Sequence, residues 1–201
     1  MKFIGITGGV GAGKSAVLSY LNQKDGIRVM LADEIAHELM KPGTACYQKI
    51  KQQFKKEEIF LPEGGLDRAK IASVIFSDEK KRAQMNGIVH PAVKEYIIQT
   101  AQEEKKKNAL NILFLEAALL IEEHYDEICD ELWYIYTREE IRQKRLMASR
   151  GYSEEKVHQI FESQLSEEEY RRHCKVVIDN NGTVEQVFSQ IDQLVENMIR
   201  E

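Results

Sequence analysis

The sequence predicts an α/β fold, a doubly wound parallel sheet of about five strands, and three observations carry that reading. Short apolar runs alternate with stretches of helical spacing. The runs at 111–115 and 132–136 are continuous and, after Asn111, apolar, as parallel strands are when helices cover both faces. A glycine-rich stretch, Gly8-Gly-Val-Gly-Ala-Gly13, lies between the first apolar run and the first helical pattern.

The elements follow in order. Lys2 to Thr7 reads as a strand, and Lys14 to Asn22 as a helix through the spacing of Val17, Leu18 and Leu21. Ile27 to Leu31 is a second strand, leading into a helical pattern from Asp33 that stops at Pro42-Gly43. From Thr44 to Lys107 nearly everything reads as helix: Tyr47 to Phe54, Asp67 to Phe76, and a long stretch after His90-Pro91. This block is expected to be a helical insertion. Beyond the strands at 111–115 and 132–136, helices are expected over Glu139–Ser149 and Ser153–Leu165. A last strand, Lys175–Ile178, and an amphipathic C-terminal helix complete the alternation.

With 201 residues, the chain suits one domain carrying one insertion. A formal charge of −5 argues against tight binding to a nucleic-acid backbone, which needs a concentrated basic surface. The three cysteines are far apart and lack metal-ligand spacing, so free thiols in a reducing compartment are expected. No run approaches the roughly 18 apolar residues of a membrane span, and a cytoplasmic protein is expected, a monomer or small homo-oligomer.

Gly8 to Ser15 satisfies G-x-x-x-x-G-K-[ST] between an expected strand and an expected helix, the context this pattern requires. Such a P-loop turns backbone N–H groups toward phosphate, and the helix beginning near Lys14 adds its positive end. Gly8, Gly9, Gly11, Ala12, Gly13, Lys14, Ser15 and Ala16 are therefore the expected ATP-binding residues. Lys14 reaches the β- and γ-phosphates, and Ser15 is the expected Mg²⁺ ligand. A GTPase reading is weak, because Asp179 to Gly182 spells D-x-x-G only after the last strand and N-K-x-D is absent.

A kinase needs a group to take or orient the acceptor proton and basic groups to neutralise the transferring phosphoryl. Asp33, at the carboxyl edge of the second strand, is a candidate for the first role or for a helix N-cap. Arg142, Arg145 and Arg150 are candidates for the second, with Arg145 and Arg150 near a glycine turn that suits a lid, or as plain surface charges. Glu116 and Glu122 could organise Mg²⁺ or begin a helix, and His90 could donate to an anionic substrate or cap the helix after it.

In this order, Gly8–Ser15, Ala32-Asp33-Glu34-Ile35-Ala36, Pro42-Gly43, Leu66-Asp67-Arg68, His90-Pro91, Ala118-Leu-Leu-Ile-Glu122, Arg145 to Arg150 and Ile178-Asp-Asn-Asn-Gly182 resemble the dephospho-CoA kinase family. The resemblance implies a three-layer P-loop kinase fold over 1–201, with a helical CoA-binding region at 44–108 and a lid at 138–170. It implies phosphorylation of the ribose 3′-hydroxyl of dephospho-CoA by ATP. Lys14, Asp33 and Arg145 would then be catalytic, Asp33, Arg68, His90 and Glu122 would face the acceptor, Arg150 would belong to the lid, and the nucleotide base would sit near Asn180. Departures from the family pattern fall at Leu31, Ala118, Arg142, Ala16 and Cys174-Lys175. A kinase for another small acceptor and a nucleotide-binding regulatory module remain as alternatives. Retention of Lys14, Ser15 and Asp33 together argues against the second.

Overall fold

A computed structural model describes residues 1–200. It divides into two compact units, one of Met1–Met30 with the described residues from Glu104 onward, the other Leu31–Glu103.

The first unit is organised by a five-stranded parallel sheet. Its strands are β1 (Lys2–Thr7), β2 (Ile27–Leu31), β3 (Ile112–Glu116), β4 (Glu131–Tyr136) and β5 (Val176–Asp179), in the order β2-β3-β1-β4-β5. β1 pairs parallel with β3 on one side, Ile4 opposite Phe114, and with β4 on the other, Ile6 opposite Trp133. After β3 the chain crosses to the far side of β1. This puts the carboxyl end of β1 at the switch point of the strand order, where open α/β sheets bind ligands. Ile4, Ile6, Leu113, Phe114, Leu115, Trp133 and Ile135 are completely buried, which explains why these strands read as continuous apolar runs. Trp133 crosses Phe114 edge to face at 5.2 Å, and its indole N–H donates to Glu131 Oε1 at 2.8 Å, so the largest core side chain keeps a partner for its polar atom.

Two flanking helices, α1 (Lys14–Leu21) and α9 (Val184–Arg200), are joined by Tyr20. Its ring stacks on Phe188 at 3.8 Å, and its hydroxyl donates to Asp192, which also pairs with Lys24 at 2.6 Å. The apolar face of α9 buries Val187, Ile191 and Val195.

The second unit holds α2 (Ala32–Leu39), α3 (Ala45–Gln53), α4 (Arg68–Ser77) and most of α5 (Glu79–Lys107). Here the helical expectation for 44–108 needs two corrections. Residues 54–67 form turns around an isolated antiparallel bridge between Phe60 and Leu66, closed by Asp67 N–H to Ile59 C=O at 2.8 Å. Pro62-Glu-Gly-Gly65 supplies the turn residues that break helical continuity. In addition, α5 is 29 residues long with Pro91 inside it, so His90 does not cap a following helix. Met85, Val89, Val93 and Ile97 form one buried stripe that runs straight through Pro91. Burial along that stripe outweighs the lost hydrogen bond and the ring's crowding of the preceding turn.

Three further expectations change. The stretch expected as one helix over Ser153–Leu165 ends early as α7 (Glu154–Glu162), and a separate α8 (Glu167–His173) follows. A capping box between Ser166 and Glu169 starts α8, a signal present in the sequence as S-x-x-E. Asp33 lies inside the first turn of α2, whose N-cap is Leu31, so it is not a capping residue. Glu116 closes β3, and the residues after it form turns before a short 3₁₀ segment at Tyr125–Glu127, so neither Glu116 nor Glu122 begins a helix.

All three cysteines are free. Burial is the main cause that pushes the Cys129 and Cys174 thiols up to about 12, with Asp130 and Asp126 adding to the effect at Cys129. Unfolded thiols ionise at about 8.5, so above that pH the unfolded chain releases protons that the folded chain keeps, and stability falls as pH rises toward 12. The denaturant midpoint should therefore decline above about pH 8.5, and iodoacetamide should label native Cys174 far more slowly than the denatured chain. Labelling at equal rates would contradict this burial.

Candidate active site

The loop from Gly8 to Gly13 leaves the carboxyl end of β1 and opens directly into α1 at Lys14. Gly13 is the N-cap of that helix with φ 89°, and a Cβ there would run into the Asn180 amide. Glycine is required by backbone and space together. Gly13→Ala should cost about 1–3 kcal/mol of stability, read as a drop in the denaturation midpoint; an unchanged midpoint would show that the loop relaxes freely.

The carbonyl of Ala12 gathers three donors: Asn180 Nδ2 at 2.6 Å, Thr137 Oγ1 at 3.0 Å and Arg145 Nη1 at 3.4 Å. Arg145 also donates to the Asn180 carbonyl at 3.1 Å, so the residue after β5, α6 (Glu139–Arg150) and the residue after β4 all converge on the loop. Lys14 Nζ donates to the Gly8 carbonyl at 2.7 Å and lies 3.8 Å from Glu116 Oε1. Ser15 is exposed in the first turn of α1. A hydroxyl at this position and the Glu116 carboxylate are hard oxygen donors of the kind Mg²⁺ takes when it shares its shell with phosphate oxygens. Among the described residues no cluster of three or more His, Cys, Asp or Glu stands together as a protein-only metal cage.

Of the other expected residues, Arg150 ends α6 in an exposed position, its guanidinium 5.9 Å from the Tyr152 ring centroid, with Gly151 closing the helix at φ 64°. Glu122 is exposed in the turns after β3. Within the second unit Asp33 is exposed, Arg68 Nη2 lies 2.6 Å from His37 Nε2, and the half-buried His90 belongs to α5. Asp67 caps α4 by accepting from the Ala69 and Lys70 N–H groups, which fixes the start of the helix that carries Arg68.

A sequence profile described as dephospho-CoA kinase matches residues 2–186. The chain belongs to the dephospho-CoA kinase family. A dephospho-CoA kinase of Geobacter sulfurreducens is 36% identical over 194 residues, 96% of this chain and 97% of its own. One from Oceanobacillus iheyensis is 37% identical over 193 residues, 96% of each chain. The solved structure of a Thermus thermophilus protein superposes with a TM-score of 0.78 at 28% identity, covering 98% of this chain and 97% of that one. As a member of the dephospho-CoA kinase family the chain is a phosphotransferase of the P-loop kinase fold, and the family implies ATP as donor and a small molecule as acceptor. No described helix is long and apolar enough to cross a membrane.

Reading the sequence missed Thr137, His37 and Gln164, the last of which accepts from the Val10 N–H of the loop at 3.3 Å. Thr137 had a positional signal, since it directly follows a strand at the ligand edge of the sheet. His37 had none beyond its place on α2. Arg142, a candidate for neutralising phosphate by its place beside Arg145, is instead buried and donates to the Val10 carbonyl at 3.0 Å.

Proposed function

We propose that this chain transfers the γ-phosphoryl group of ATP to the ribose 3′-hydroxyl of dephospho-CoA, giving coenzyme A and ADP. The observation that carries the proposal is a complete phosphate loop, braced on Ala12 and opening into α1 at Lys14, in a chain of this family. The acceptor oxygen forms a bond to the γ-phosphorus as the bond to the β,γ-bridging oxygen breaks, and the hydroxyl proton leaves through Asp33. Such transfer needs alignment and charge neutralisation more than covalent chemistry. Lys14 and the N–H groups of the loop hold the β- and γ-phosphates, Arg145 supplies positive charge beside Ala12, and Asn180 marks the nucleotide side. Ser15 and Glu116 would hold Mg²⁺, which supplies charge neutralisation between the phosphates when bound. Asp33 orients the acceptor, with Arg68, His90 and Glu122 on the acceptor side and Arg150 in the lid. The setting is the cytoplasm.

The test is ADP release by the purified chain with ATP and Mg²⁺, comparing dephospho-CoA with a panel of nucleosides and nucleotides at matched concentration. Release with dephospho-CoA alone, together with coenzyme A as product, is expected. Turnover of another acceptor, or of none, would overturn the substrate assignment.

A further inference from the structure

The phosphate loop is gripped at its outer tip as well as at Ala12. Both backbone groups of Val10 are engaged by side chains: its carbonyl accepts from Arg142 Nε at 3.0 Å, and its N–H donates to Gln164 Oε1 at 3.3 Å. The same Gln164 oxygen accepts from Arg142 Nη2, so loop, arginine and glutamine close a ring of three hydrogen bonds. The guanidinium meets one more group, with its central carbon over the Phe161 ring, 4.3 Å from the centroid. A side chain at Gly9 would occupy the volume of this guanidinium, which gives the second glycine of the motif a role specific to this chain.

Arg142 is 8% exposed, and among the described residues its hydrogen bonds go to the Val10 carbonyl and the Gln164 amide oxygen and to no carboxylate. Burial lowers its pKa from the usual value, with Tyr134, Glu139 and Tyr170 acting against that, and an arginine nevertheless stays charged. A buried guanidinium without a counter-ion is costly to keep unless its donors are all used. Its hydrogen bonds go to the tip of the phosphate loop and to the residue that holds the same tip. Arg145 lies three residues further along α6, on the same side of the helix, and donates to Ala12. One helix thus holds the loop at two points, Val10 and Ala12.

We propose that Arg142 and Gln164 form a latch that keeps the phosphate loop in its nucleotide-accepting shape before ATP arrives. Both are positioning residues: they touch the backbone of the loop and act on ATP through it. Glycine-rich segments lose much conformational freedom when ordered. With the latch in place that cost falls on folding rather than on binding, and affinity for nucleotide rises accordingly. The proposal rests on reading Gly8–Ser15 as the ATP site.

The experiment measures ATP binding by calorimetry and steady-state kinetics for the unaltered chain, Gln164→Leu, Arg142→Lys and the double variant. Arg142→Lys keeps the charge but loses the fork that reaches Val10 and Gln164 together. Each single variant should weaken ATP binding by about tenfold, the effect of losing one or two hydrogen bonds. The double variant should be no worse than the weaker single one, because either change opens the ring. kcat at saturating ATP should stay within about threefold of the unaltered chain, which a general loss of structure would not allow. Unchanged ATP affinity in Gln164→Leu, additive losses in the double variant, or a loss confined to kcat would each overturn the latch. If Arg142→Lys does not fold, Gln164→Leu alone decides. Failure of the unaltered chain to bind ATP would overturn the nucleotide reading and the latch together, whereas ATP binding that is indifferent to Gln164 overturns the latch alone.

Discussion

Lys14→Ala is expected to lower turnover by roughly 10²–10³-fold or more, the loss typical of removing one preorganised charge from a transition state. The ammonium is held inside the loop rather than free in solvent: it donates to the Gly8 carbonyl at 2.7 Å, sits 3.8 Å from Glu116, and its side chain is 18% exposed. It is therefore placed before the phosphates arrive. Charge on the transferring phosphoryl spreads over its equatorial oxygens in the transition state, so an ammonium there counts more than it does in the ground state. The substitution also takes from Glu116 a cationic neighbour 3.8 Å away, which leaves that carboxylate freer to meet a divalent cation, so the expected loss comes from the phosphate contact and not from the metal site. Both kcat and ATP affinity should fall while the melting temperature stays near that of the unaltered chain. A variant that retains turnover within about tenfold would remove Lys14 from its assigned role.

Asp33→Asn is expected to act differently. A carboxylate that accepts or orients the acceptor proton typically contributes about 10²–10⁴-fold. The amide keeps the shape and loses the charge and the proton affinity. Asp33 is exposed in the first turn of α2, whose N-cap position is Leu31, so its part in its own helix is limited to placing negative charge at the helix start, about 0.3–1 kcal/mol. A residue with so small a local structural part is expected to lose function with little loss of stability when it is changed. Turnover should fall by orders of magnitude with ATP binding nearly intact, measured by calorimetry beside the kinetic assay. Near-normal turnover would move the proton-handling role elsewhere. Together the two variants separate donor binding from acceptor chemistry, since only Lys14→Ala should damage both.

The helices that the sequence misread are informative about what local pattern encodes. Pro91 reads as a helix start because its ring removes a donor and crowds the preceding turn, yet α5 passes through it on the stripe of Met85, Val89, Val93 and Ile97. That stripe was present in the sequence, and its weight against the proline depended on how deeply it is buried. The division between α7 and α8 is also present in the sequence, as the Ser166–Glu169 capping box, where the surrounding charged residues mask it. Among the site residues, the order from Gly8 to Ser15 was legible because every requirement of a phosphate loop is local: a strand, positive-φ glycines and a helix start within a few residues.

The sequence by itself determined the sheet, whose buried strands must be apolar on both faces, the phosphate loop, and the family motifs in their order. Only the tertiary structure decided what surrounds that loop. Asn180 and Thr137 reach Ala12 from 168 and 125 residues away, and Arg142 reaches Val10 from 132. Periodicity records whether a position is buried, and a motif records which groups stand near one another along the chain. Neither records which distant carbonyl a buried donor will meet. A guanidinium at position 142 could have faced solvent, phosphate or backbone with the same local sequence, and the packing of α6 against the loop settled that it holds Val10.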